Sequence, residues 1–73
     1  MARIMDIRKC DREIRMNSRT VMDVQYNDEY FSMWVYKAGQ ERGLDLCPLS
    51  IQLDAEIAGR LVNYLNQFLK NKN

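Results

Sequence analysis

The residue types that most often do chemistry at neutral pH are scarce in this chain. It holds no histidine and two cysteines, Cys10 and Cys47. Without histidine no Ser-His or Cys-His pair can form, and the commonest general base is missing. Two thiols cannot meet four-ligand zinc spacing within one chain, so neither a metal nor another cofactor is expected. Cys10 follows Arg8 and Lys9, whose charges would favour a thiolate, but the favoured reading is a small hydrophobe. The carboxylates Asp23, Asp28, Glu29, Asp45 and Glu56 fall where turns, solvent faces and a helix start account for them. Gly39 and Gly43 are followed by neither Lys-Ser/Thr nor a helix start, which excludes a phosphate loop. The expectation is a protein without catalysis.

The chemistry of recognition is better represented. Read with a period of two, "EYFSMWVYK" (residues 29–37) puts Phe31, Met33 and Val35 on one face and Tyr30, Ser32, Trp34 and Tyr36 on the other. Both faces are apolar enough to need a cover. Rings on a sheet with basic residues at their edges form a stacking platform, on which each base contributes roughly 1–3 kcal/mol. Trp34 and Tyr36 would stack, with Lys37 and Arg42 of the adjoining loop at phosphates. Arg8, Arg12, Arg15 and Arg19 would add phosphate contacts from the N-terminal quarter, where six of the eleven basic residues lie. The net charge is only +1, yet affinity for phosphate follows local charge. A solvated charged face is the plain alternative for these arginines.

The elements that must position these residues come from the hydrophobic periods. Seventy-three residues make a single domain, 1–73, with a thin core, since folding at this size buries only roughly 60% of the chain's surface. Oligomerisation is the expected support. Met22, Val24 and Tyr26 alternate with Asp23 and Gln25 as a strand, and "NDE" makes a turn. The next strand is residues 29–37, closed by a polar loop at "AGQERG". Leu44 and Leu46 alternate, and Leu49, Ile51 and Leu53 alternate in the opposite parity. Pro48 at that shift predicts an edge strand, a bulge or a kink. Residues 4–16 favour a strand with a turn at "NSR", and a helix over 4–14 is the alternative. Asp54 is a good N-cap for "AEIAGRLVNYLNQFLKNK", whose stripe of Ile57, Leu61, Tyr64, Leu65 and Phe68 is widened by Ala58, Val62 and Leu69. That stripe is broader than one small sheet needs. Gly59 inside it predicts the close approach of another backbone. The fold expected is α+β: an antiparallel sheet of three to four strands, then one C-terminal helix packed on one face.

From about Val21 to Leu69 the chain resembles the positive-cofactor-four-like domains, small single-stranded-DNA-binding transcriptional coactivators related in fold to the plant whirly proteins. The likeness is carried by "FSMWVY", the glycine loop "KAGQERG", the Ile-x-Leu strand "SIQL", and a closing helix begun by "DAE" with leucines at "RLVNYL". It implies a curved four-stranded antiparallel sheet before a helix, dimers formed through helices and sheet, and strands that carry unpaired nucleic acid. The residues it carries over are Trp34, Tyr36, Lys37 and Arg42. "LDLCPLS" departs from the pattern, because it supplies no base and adds an acid where the family is basic.

The expected function is therefore single-stranded DNA or RNA binding, in transcription or DNA metabolism, by a homodimer. The alternative is a small dimeric protein-interaction module or regulator, of the kind carried by phages or mobile elements, using the same aromatic face. A third possibility is that the N-terminal segment folds over that face and completes the core. No run approaches the roughly 20 apolar residues of a membrane span. "MARIMDIRKC" lacks the apolar run of a signal peptide, so reduced thiols and a cytoplasmic location are expected.

Overall fold

A computed structural model describes residues 1–13, 19–44 and 46–72. The elements are β1 (Ala2–Arg3), β2 (Met22–Tyr26), β3 (Phe31–Val35), β4 (Leu49–Leu53) and α1 (Ala55–Lys70). They form one four-stranded sheet in the order β1-β4-β3-β2, with α1 against it. The fold is α+β, as expected. β2, β3 and β4 are successive antiparallel strands, whereas β1 runs parallel to β4.

Local chemistry explains the antiparallel part. Two-residue hairpins prefer turns with positive φ, but no residue described here other than glycine has one. Asn27 holds the turn instead: its Oδ1 accepts from the N–H groups of Glu29 at 2.8 Å and Tyr30 at 2.9 Å. Between β3 and β4 the chain reverses through two stacked turns, with Gln40 N–H on the Lys37 carbonyl and Gly43 N–H on that of Gln40. Gly39 (φ 89°) and Gly43 (φ 68°) occupy the left-handed region that these turns require. Helix α1 starts where Asp54 Oδ1 accepts from Ile57 N–H at 2.9 Å, with Glu56 in the first turn and Lys70 in the last.

Several expectations are corrected. Residues 4–13 form neither strand nor helix; after β1 the backbone pairs once more, Ile4 N–H to the Gln52 carbonyl, and then leaves the sheet. The favoured turn at residues 17–19 falls largely outside the described residues. Leu44 and Leu46 belong to no strand. β4 is interior, between β1 and β3, rather than an edge; Pro48 precedes its first residue, where a missing donor costs no ladder bond. No atom of this chain lies within 4 Å of a side chain added at Gly59, so no backbone within it explains that glycine.

The face towards α1 is the apolar one. Register aligns Val24 with Met33 and Met33 with Ile51, and Phe31 with Leu53. Yet among the described residues only Leu53 and Ile57 are buried hydrophobics. Met22, Val24, Tyr26 and Leu49 expose half or more of their surface, as do Val62, Phe68 and Leu69 of the helix. α1 touches the sheet along β4. The strands farther out are left half-roofed.

Asp54→Ala removes the one side-chain cap that this helix has at its start. A loss of about 1 kcal/mol is expected, read as a Tm lower by roughly 4–8 °C in a thermal melt of a domain this small.

Candidate functional site

The sheet has two faces of different chemistry. Opposite the helix lie Asp23 and Gln25 of β2, Ser32 and Trp34 of β3, and Ser50 and Gln52 of β4. Trp34 is half-buried between Asp23 on one neighbour and Ser50 on the other. It is the central ring on an otherwise polar surface.

The rings flanking it are already engaged. Tyr36 donates its hydroxyl to Asp23 Oδ2 at 2.7 Å, and its ring packs so near Gly43 that a Cβ there would sit 3.5 Å away. Tyr30 carries the Arg3 guanidinium 5.6 Å from its centroid, a cation–π contact, and Arg3 also lies 3.7 Å from Asp54 Oδ2. An acid thus sits beside Trp34, at the centre of the candidate platform. Phosphate close to Asp23 would be repelled.

The predicted basic residues separate into two groups. Arg19, Lys37 and Arg42 come together where the loop meets the start of β2: Gly39 N–H donates to the Arg19 carbonyl at 2.7 Å, and Thr20 Oγ1 reaches the Gln40 carbonyl at 3.4 Å. Arg19 is paired there with Glu41 at 3.0 Å, though both side chains are largely exposed. Such a pair is weak and can be exchanged for another anion. Arg8 lies elsewhere, in a groove with Tyr64 and Phe68 of α1. Arg12 is exposed on the irregular segment, and Arg15 lies outside the described residues.

What takes the N-terminal segment to the helix is Arg60, a residue that charge counting along the chain does not single out. Its guanidinium pairs with Asp6 Oδ1 at 2.8 Å and donates to the Ile7 carbonyl. Asp6 Oδ1 also accepts from Ile7 N–H at 2.9 Å. The hydrogen bond from Arg60, the Ile7 amide and the Arg60 charge hold the Asp6 carboxyl below its usual range. The contacts that anchor residues 4–7 run to the Gln52 carbonyl of β4 and to α1.

The more open surface is the apolar one. Met22, Val24, Phe31 and Met33 on the sheet and Ala58, Leu61, Val62 and Leu65 on α1 line a groove of roughly 340 Å³ with no polar residue in its wall. Strand alternation and the wide helix stripe were the signals for it. Among the described residues no group of three or more His, Cys, Asp or Glu could hold a metal ion. Cys10 and Cys47 are both exposed and not disulfide-bonded to one another. Among the described residues no helix is long and apolar enough to cross a membrane.

No family model matches the chain, and no curated protein or solved structure is significantly similar to it. The parallel two-residue β1 differs from the wholly antiparallel sheet that the coactivator resemblance implies.

Asp6→Asn should release the 4–13 segment from α1 without unfolding the sheet. Faster amide exchange at Ile7, with β3 and β4 unchanged, is the expected readout. Because the folded carboxyl titrates below its ordinary 3.8, the tether is intact above that value and is lost as pH falls through the lower folded one. Acidification of the unaltered protein should therefore reproduce the effect of Asp6→Asn.

Proposed function

We propose that this chain is a non-catalytic, homodimeric interaction module whose open apolar side is covered by a second copy. The observation that supports this is an excess of exposed surface. A folded monomer of 8.7 kDa should expose roughly 4,700 Å². This chain exposes 6814 Å², and its radius of gyration is 13.8 Å against about 11 Å for a compact chain of its length. The excess of roughly 2,000 Å² exceeds the about 800 Å² per partner of a standard interface and reaches the range of obligate homodimers. Charge density is also low on that side, as desolvation at an interface core demands. A protein partner or regulatory target would then be met by what remains exposed.

A second reading, single-stranded nucleic-acid binding in transcription or DNA metabolism, is favoured by one observation. Trp34 lies on the face away from α1, with Arg19, Lys37 and Arg42 gathered at the end of the same strands. Asp23 beside Trp34 and the engagement of Tyr36 weigh against it. Both readings hold together if self-association uses one face and nucleic acid the other.

Sedimentation at micromolar concentration should give a mass near twice 8.7 kDa; a monomer throughout that range would remove the dimeric reading. Titration with oligo-dT, following Trp34 fluorescence in low and raised salt, tests the other. Quenching that weakens with salt supports nucleic acid, and Trp34→Ala should then cost roughly 1–3 kcal/mol of binding with little change in Tm. No quenching leaves the interaction module alone.

A further inference from the structure

The outermost long strand among the described residues is β2, and its ladder shows which way each of its groups points. Asn27 N–H donates to the Tyr30 carbonyl at 3.0 Å, and Tyr36 N–H reaches the Val21 carbonyl at 3.4 Å. In an antiparallel ladder alternate residues bond the same neighbour. Val21, Asp23, Gln25 and Asn27 therefore face β3. Met22, Val24 and Tyr26 direct their N–H and C=O groups outward, away from the sheet.

That edge lacks the usual protections. β2 contains no proline and no lysine, and its register with β3 runs unbroken from Met22 to Tyr26 without a bulge. The opposite edge is closed down to the two residues of β1. Only the Tyr26 N–H is occupied, by the neighbouring Gln25 Oε1 at 3.0 Å. The same three residues carry their side chains on the apolar face, where Met22 and Val24 line the open margin of the groove.

We infer that two copies join edge to edge through β2, antiparallel and centred on Val24, to make one continuous eight-stranded sheet. This rests on the homodimeric reading above and specifies its geometry. With that centre Val24 lies opposite Val24 of the partner subunit and Met22 opposite Tyr26 of the partner subunit. All the outward groups of the strand are then paired. A two-fold axis through Val24 keeps both helices on the same side, so the two grooves merge into one apolar trough floored at the join by Met22 and Val24 of both copies. The join covers the exposed Met22 and Val24 at the margin of that groove.

Charge selects the register. Centring on Asp23 would place two carboxylates directly opposite in a non-hydrogen-bonded pair, about 4.5 Å apart between Cα atoms. Centring on Gln25 leaves Met22 unpaired. The Val24 centre sets Asp23 against Gln25 of the partner subunit, an acceptor facing an amide donor. The Gln25 side chain, released from Tyr26 N–H by the incoming carbonyl, becomes that donor. On the outer face the two copies of Trp34 then share one surface.

Cross-linking reads the register directly, in a background with Cys10 and Cys47 replaced by serine. Asp23→Cys and Gln25→Cys variants are prepared separately and then mixed under mild oxidation, with folding checked by circular dichroism. The close Cα approach of a non-hydrogen-bonded pair lies within reach of a disulfide. A mixed D23C–Q25C disulfide dimer, identified by mass, is expected, with neither variant cross-linking alone. Self-linking of D23C or of Q25C overturns the Val24 centre. Absence of any cross-link while sedimentation still shows a dimer overturns the edge pairing and leaves the homodimer standing, whereas a monomer overturns both. On the unsubstituted protein, the Met22 and Val24 amides should exchange slowly at high concentration and quickly on dilution. Fast exchange at a concentration where the dimer is present would also sink the proposal.

Discussion

One helix is too narrow a roof for this sheet. An α-helix with its side chains is about 10–12 Å across, while four strands spaced about 4.8 Å apart make a floor wider than that. Here the helix follows directly from β4, through Asp54 alone, so the cap that starts it also fixes which strand it covers. Burial is consequently concentrated at Leu53 and Ile57, on either side of that cap. β2, two strands away, receives little cover. The open groove, the exposed surface and the half-covered helix stripe all descend from this placement.

Elements governed by local chemistry could be read from the residues. Asp54 with Ile57 gave the helix start, Asn27 the hairpin, and the alternation of Met22, Val24 and Tyr26 a strand whose apolar side meets that of β3. Features set by distant pairing left no local mark. β1 is two residues long and pairs in parallel with a strand far along the chain, so no period announces it. Pro48 marks the start of a strand but does not say whether that strand lies at an edge. The alternation of β3 separated Trp34 from Met33 correctly, yet how much of either face the helix would cover depends on strand order, which the pattern does not contain.

The candidate site shows the same division. Proximity in sequence made a basic strip of Arg8, Arg12, Arg15 and Arg19, but the chain leaves the sheet after Ile4 and is tied by Arg60 to the helix, which takes Arg8 with it. Arg19 returns to the far loop and joins Lys37 and Arg42, residues that the strip did not include. Spatial charge is thus regrouped, and Asp23 is brought beside Trp34 by cross-strand register alone. In the nucleic-acid reading proposed above, a face with one central ring, one adjacent acid and three bases at its end would position a ligand rather than hold it by charge. Steering by net field is weak in a protein of net charge +1.

The edge and the groove bear on one another. An unpaired strand edge is a hazard in proportion to its length and to the apolar side chains it carries; β2 has both, and β1 has neither. The proposed pairing uses only the long, unbroken edge, and a contact confined to one side would close a two-fold pair instead of propagating a fibre. Association of that kind would also add apolar cover that one copy lacks. In the proposed dimer folding and pairing would become one equilibrium, with stability rising with protein concentration and the isolated chain the marginal species. The outer face would take no part in that equilibrium, so the proposed pairing would leave Trp34 and the bases near it uncovered.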